Sequence, residues 1–428
     1  MYTSTIIVLG VMVIVYIISL RFKLSTELAM LAAALAGGLA AGQWIPVRHI
    51  AEGAITYIDI ILIFISATLF MNILKESGGV AFVIRGIIKT FHKSRVLLLI
   101  LLTFLLLIPG ALTGAGSVTV LITGGMVAVV LNYMGIPKIK VCAIIFLIAG
   151  LSAAAPPVSL WAMMTAAGVN MPYVGFFLPL LIPCVIGALI TIFILGWKGT
   201  KINVDKALSE LPLPPEKMNS FKIIIPFLVF FGFVFIGRKW PHNSPVVGLP
   251  LMFLLAAAAS YLLSPKKLNL FKISSDTIKQ LLPLIGTLTC VGILVQIMTL
   301  TGVRGLLAVS FITLPVWLVI GSLFVFLPIT ESVLMYGSAA VFGVPLILLF
   351  NSMNMDPIIA LAGMSIIWPL GDALPPTAII GRLTVNVVGS EGEYSQFLKQ
   401  CIIPAIIICI LGTLMVIFSS DLNFLTGL

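Results

Sequence analysis

Gly150-Leu-Ser-Ala-Ala-Ala-Pro-Pro-Val-Ser159 crosses the middle of a long apolar run, and Gly371-Asp-Ala-Leu-Pro-Pro-Thr377 crosses another. The two proline pairs, Pro156-Pro157 and Pro375-Pro376, stand 219 residues apart. Proline has no N–H and clashes with the preceding helical turn, so each pair breaks its run into two helical arms. Working outward, Pro109 before GALTGAGS and Pro328 before ITES keep the same offset. So do Gly124 with Gly343, and Thr165 with Thr384. The run beginning near Thr5 maps onto the one beginning near Ile224. The sequence therefore reads as two copies of one unit.

The medium follows from composition. Of 428 residues, 61% are hydrophobic and 9% charged, against roughly 25% charged in soluble domains. A soluble enzyme, a disordered chain and a fibrous repeat are excluded, leaving a polytopic all-α membrane protein. Its apolar runs reach the about 20 residues that a spanning helix needs. The net charge of +10 belongs to loops and reads as a topology signal, not a nucleic-acid surface. Cys142, Cys184, Cys290, Cys401 and Cys409 all sit in apolar stretches without ligand or disulfide spacing, so they read as small buried hydrophobes. His49, His92 and His242 fall in expected loops. No GxxxxGK[ST] motif is present, which argues against an ATP-driven pump.

Runs are expected at 5–21, 27–43, 56–74, 95–109, 117–134, 138–168 and 172–197, then at 224–240, 246–264, 278–300, 305–327, 333–350, 357–388 and 397–420. Residues 1–197 form the first repeat, with a hairpin at 95–134 and a broken span at 138–168. Residues 198–221 form a linker, polar and rich in proline. Residues 222–428 form the second repeat, with a hairpin at 305–350 and a broken span at 357–388. The hairpin arms are at or below spanning length and their tips lack a polar loop. They read as re-entrant, because irregular backbone at membrane depth must be buried or face water. Five full spans and one hairpin per repeat give about ten spans in all and invert the second repeat.

Basic residues agree with that inversion. Nineteen of 24 fall on the linker side; Arg48, Arg238, Lys239 and Arg304 fall on the other, and Arg382 lies inside a broken span. The positive-inside rule makes the linker cytoplasmic and both termini extracytoplasmic. Arg21 and Lys23 follow the first run and nothing basic precedes it, so it reads as a span and not a cleaved signal.

Broken helices and opposed re-entrant hairpins suit a secondary transporter. Half-helix amide ends favour anions and carbonyl ends favour cations such as Na⁺. One candidate Na⁺ site joins Gly110, Thr113, Gly114, Gly116 and Ser117 to Ser152 and Ala154. A second joins Thr330 and Ser332 to Gly371, Asp372 and Ala373. Glu331 can carry a proton or bind the ion, since intramembrane carboxylates are costly without a role. Arg382 can face a substrate carboxylate, neutralise Asp372 or Glu331, or snorkel to the surface. Thr165 and Thr384 are further substrate candidates. Asp59 reads as solvated near a span end.

GALTGAGS with the helix after it, GLSAAAPPVSLWAMMTAAG and DALPPTAIIG resemble the large membrane subunit of tripartite ATP-independent periplasmic (TRAP) transporters, in the ion transporter superfamily. The resemblance covers essentially the whole chain. It implies an elevator mechanism, Na⁺ coupling, a small organic-anion substrate such as a dicarboxylate, and a bacterial or archaeal inner membrane. It also implies a small four-helix membrane subunit and a periplasmic substrate-binding protein as partners. The charged tip Pro328-Ile-Thr-Glu-Ser332 departs from the family pattern and leaves open a stand-alone carrier or exchanger, proton-coupled through Glu331 and Asp372. A channel or a structural subunit is the reading from another class.

The topology is directly testable. Single cysteines placed in the linker and next to Met1 should react with an impermeant maleimide from opposite sides of the membrane. Reaction of both from one side removes the inversion.

Overall fold

The computed structural model describes residues 2–200, 202–240, 247–390 and 392–427. His242 and the side chain of Arg238 lie outside the described residues. Among the described residues all regular structure is helical. Nine helices there are long and apolar enough to cross a membrane, and the chain is a multi-pass membrane protein.

The first half runs α1 (Tyr2–Arg21), α2 (Thr26–Ala40), α3 (Val47–Ile55), α4 (Ile58–Glu76), α5 (Gly79–Phe91) and α6 (Arg95–Thr113). It continues through α7 (Gly116–Thr119), a π turn at Val120–Gly124, α8 (Gly125–Tyr133), α9 (Lys138–Ala154), α10 (Leu160–Gly168) and α11 (Phe177–Gly196). The linker holds α12 (Val204–Glu210). The second half runs α13 (Ser220–Lys239), α14 (Leu249–Leu262), α15 (Leu270–Leu300), α16 (Val303–Thr313) and α17 (Val316–Leu334). A π turn at Ala339–Gly343 leads to α18 (Val344–Ser352), α19 (Pro357–Ile367) with a 3₁₀ extension at Trp368–Ala373, α20 (Ile379–Val388) and α21 (Tyr394–Ile417).

The 219-residue offset recurs in these boundaries. It relates the two π turns, α8 to α18, α9 to α19 with its extension, and the starts of α10 and α20. Both Pro-Pro peptide bonds are cis. Packing between the halves is reciprocal. α4 lies on α14 and α15 on α2; α10 covers the second π turn and α20 the first; α9 meets α21 and α11 meets α19. The core is α9 and α19, buried on every side from Val141 to Ala154 and from Ile359 to Ala373. That fits a helix apolar all round its circumference.

Several boundaries differ from the sequence reading. The run 305–327 is two helices, because Pro315 follows the C-cap Leu314 and starts α17. The second hairpin therefore begins at Val316 and not at 305. Pro109 and Pro328 sit inside α6 and α17 and do not break them; a proline in a membrane helix is tolerated where neighbours satisfy the freed groups. The first arms reach 19 residues each, and three of the four hairpin arms count among the nine span-length helices. The expected spans 27–43 and 246–264 shorten to 15 and 14 residues. His49 lies in α3, not in a loop.

The linker is bound, not loose. Arg85 donates to the Leu208 and Leu211 carbonyls at 2.8 Å each. Arg95 donates to the Gly199 carbonyl at 3.0 Å and stacks 4.7 Å over the Trp197 ring. Tyr133 donates to the Glu210 carboxylate. Hydrogen bonds also tie the outer helices to the hairpins and breaks: Lys75 Nζ to the Leu121 carbonyl in the first π turn, at 2.9 Å, the Tyr16 hydroxyl to the Val333 carbonyl, and Arg304 of α16 to the Gly168 carbonyl at the end of α10, at 2.7 Å.

α3 and α15 touch backbone to backbone. A Cβ on Gly53 would lie 2.6 Å from Ile293 Cα and 2.8 Å from the Gly292 carbonyl oxygen. Gly53→Ala should therefore lower stability by about 1–3 kcal/mol, as overpacking does. Gly10→Ala, with nothing within 4 Å, should leave the thermal unfolding midpoint of the purified protein unchanged or raise it.

Candidate functional site

The first tip closes where α6 ends. Gly114 takes φ 67°, a left-handed conformation that glycine adopts without penalty. Its N–H meets the Gly110 carbonyl at 2.6 Å. Thr113 spends its hydroxyl on the Pro109 carbonyl at 2.7 Å. The first broken helix lies against this tip. The Val158 N–H bonds the Ala111 carbonyl at 3.1 Å, and Gly116 approaches the Ala149 carbonyl closely. Ser152 donates to Ala149 at 2.6 Å and pairs with the Thr119 hydroxyl at 2.8 Å. Ala154 is the last residue of α9. The structure thus gathers Gly110, Thr113, Gly114, Gly116, Ser117, Ser152 and Ala154 in one region and adds Thr119. Thr113, Thr119 and Ser152 spend their hydroxyls on carbonyls or on each other, so a cation here rests mainly on backbone carbonyls at the ends of α6 and α9.

The second tip lies beyond the expected Thr330–Ser332. α17 continues through Leu334, and the turn comes at Met335, with φ 52°. Thr330 and Ser332 bond the carbonyls of their own helix, Leu327 at 2.9 Å and Ile329 at 2.8 Å. The Ser332 carbonyl accepts from the Thr377 hydroxyl at 2.9 Å, joining the tip to the second helix break. The Ala373 carbonyl accepts from the Tyr394 hydroxyl at 2.7 Å. Glu331 and Asp372 are buried, at 0% and 2% exposure, and close enough to interact electrostatically. Gly371 makes the room: a Cβ there would meet the Pro328 carbonyl and lie 2.7 Å from the Glu331 Cβ.

These carboxyls keep unpartnered oxygens. Ser338 donates to Glu331 Oε2, while Glu331 Oε1 and Asp372 Oδ2 are buried without a hydrogen bond. The Trp161 indole, from α10 of the other half, lies beside Glu331. Its ring centroid is 5.5 Å from that of Tyr336, and its N–H is the donor facing Glu331, without closing a hydrogen bond of ordinary geometry. Hard cations bind carboxylate and carbonyl oxygens, so the donor set fits Na⁺ at the second site better than at the first.

Arg382 is exposed. Among the described residues the one ion pair is Arg48–Glu52, on the surface, so Arg382 does not neutralise either carboxyl. Thr165 reaches across the halves to the Ala339 carbonyl at 3.1 Å. Thr384 bonds Ile380 of its own helix at 2.8 Å. Asp59 is exposed, as expected. Ser338, Thr119, Trp161 and Tyr336 were missed. Ser338 and Thr119 stand 219 residues apart, so reading every hydroxyl in the repeat register finds both.

The register also exposes an asymmetry. Positions 219 residues before Glu331 and Asp372 hold Leu112 and Ala153, and Ser152 stands where the second half has Gly371. The first half fills the same place with a leucine, an alanine and a hydroxyl pair. Two carboxyls are therefore not needed to build this part of the fold.

The sequence matches no protein-family model and no curated protein. Among solved structures the fold is similar to the YdaH transporter of Alcanivorax borkumensis, described as having an unusual topology. The TM-score is 0.59 at 12% identity, covering 88% of each chain. It is similar too to MtrF of Neisseria gonorrhoeae, described within a class of antimetabolite efflux pumps. There the TM-score is 0.59 at 13% identity, covering 87% of this chain and 83% of that one. The chain thus has the fold of a membrane transporter. The comparisons give no support to the narrower resemblance to the TRAP large subunit.

Gly371→Ala tests the packing of the site. It should cost about 1–3 kcal/mol through overpacking, read as a lower thermal midpoint. Gly125→Ala, whose Cβ would sit 3.4 Å from Val387, should be near neutral.

Proposed function

We propose that the chain is a secondary active transporter that imports a small organic anion, a carboxylate, coupled to Na⁺. The observation that carries this reading is the pair of buried carboxyls, Glu331 and Asp372, each with an unpartnered oxygen, at the meeting of a hairpin and a helix break. An uncompensated charge at membrane depth costs at least about 2.5–3.5 kcal/mol. A cation bound between the two groups offsets that cost.

The reciprocal packing supports an inverted repeat. Residues 1–197 and 222–428 are related by a pseudo-two-fold axis in the membrane plane, with 198–221 a cytoplasmic linker. In this reading α6–α10 and α17–α20 form a transport body that slides against the outer helices. The Lys75–Leu121, Tyr16–Val333, Arg304–Gly168 and Tyr394–Ala373 bonds are then contacts that an elevator motion must exchange. The anion is taken by the exposed Arg382 of α20, and Na⁺ shields it from the carboxyls. The likeness to MtrF favours a second reading, export of an organic solute by the same fold.

Reconstituted into liposomes, the protein should accumulate labelled organic acids under an inward Na⁺ gradient. Asp372→Asn should lower apparent Na⁺ affinity about tenfold or more, a loss set on the scale of a hydrogen bond to a charged group, about 1.5–3 kcal/mol, and leave the protein folded. Glu331→Gln should keep Na⁺-driven uptake. Ser117→Ala and Gly114→Leu separate the first tip: loss of Na⁺ dependence there adds a second site, and unchanged uptake removes it. Accumulation driven by a proton gradient without Na⁺, and lost in Glu331→Gln, replaces the Na⁺ reading. Solute leaving against its gradient selects export. A requirement for an added soluble fraction brings in the binding protein and four-helix subunit that the TRAP resemblance implies.

A further inference from the structure

Ser338 belongs to neither α17 nor the π turn. It stands between them, just past the turn at Met335, and it is fully buried. Its hydroxyl donates to Glu331 Oε2, seven residues back and on the other side of the turn. The bond therefore fastens the tip and fixes the carboxyl at once. Its counterpart in the register, Thr119, reaches instead to Ser152 on the broken helix, at 2.8 Å. In the second half that partner is Gly371, which has no side chain and lies against the Pro328 carbonyl and the Glu331 Cβ. The same hydroxyl position thus serves a neutral partner in one half and a carboxyl in the other.

We infer that Ser338 is a positioning residue for the coupling-cation site. By holding Oε2 it leaves Oε1 as the Glu331 oxygen free to share a cation with Asp372 Oδ2. The inference rests on the Na⁺-coupled reading above. Without Ser338 both Glu331 oxygens lack a donor from the tip, the carboxyl rotates about its terminal bond, and the pair of ligand oxygens loses its fixed spacing. Affinity should fall, and so should discrimination between Na⁺ and the larger K⁺, because a fixed spacing is what rejects an ion of the wrong radius. Threonine keeps the hydroxyl, and Thr119 shows that the fold accepts it at this register position.

The test is the thermal midpoint of purified protein titrated with NaCl or KCl at constant ionic strength, since an ion that binds only the folded state raises it. Wild type should respond to Na⁺ and much less to K⁺. Ser338→Ala should need about tenfold more Na⁺ or more for the same rise and lose Na⁺/K⁺ discrimination. Ser338→Thr should stay within about threefold of wild type and keep the discrimination. A wild-type Na⁺ response kept in Ser338→Ala, with discrimination intact, overturns the role of Ser338 and leaves the Na⁺ reading standing. Equal losses in Ser338→Ala and Ser338→Thr also overturn it, since a lost hydroxyl is then not the cause. A wild type that answers neither ion overturns the Na⁺ reading and this inference with it.

Discussion

Backbone polar groups have no water to turn to inside a bilayer, so every helix break must find its partners in the protein itself. The structure meets that demand by setting each break against a hairpin tip. Val158 bonds the Ala111 carbonyl across the first pair, and the Thr377 hydroxyl reaches the Ser332 carbonyl across the second. Tyr394 covers the Ala373 carbonyl that the 3₁₀ extension exposes. The hairpins cannot move away from the broken helices without leaving these groups unpaired. Tips and breaks therefore form one unit, and among the described residues the surrounding helices reach it through side-chain hydrogen bonds from Lys75, Tyr16, Arg304 and Tyr394.

Within that unit the halves match in shape and differ in charge. Small residues and hydroxyls carry the first tip; two carboxyls and an indole from the opposite half surround the second. The difference comes from few substitutions in register: leucine to Glu331, alanine to Asp372 and serine to Gly371. The glycine is the enabling change, because a Cβ at 371 would run into the Pro328 carbonyl and the Glu331 Cβ. Symmetry supplies the frame, and its local failure supplies the chemistry.

The proline pairs made the offset legible, because two adjacent prolines cannot both continue a helix through an apolar run, and α9 and α19 end as they imply. Tip positions were not legible. Pro109 and Pro328 resemble helix ends in sequence, yet α6 and α17 run on through them, and only the packing reveals that. Hydropathy could not see the turn at Leu314-Pro315 either, since both sides of it are equally apolar. Glu331 and Asp372 stood out as rare charges. Ser338 did not, because a serine among apolar residues carries no signal until its partner is known.

The way α10 packs bears on how such a chain comes into being. Trp161 and Thr165 cover the second tip, at Tyr336 and Ala339, which a ribosome reaches only after more than 170 further residues. During that interval the first half is in the membrane with its central helix end uncovered. Vectorial synthesis, which lets ordinary domains fold in order, cannot finish this one early. The two halves complete each other only when the last third of the chain has been made, so a chain truncated before residue 336 leaves behind an unfinished membrane protein and not a smaller transporter.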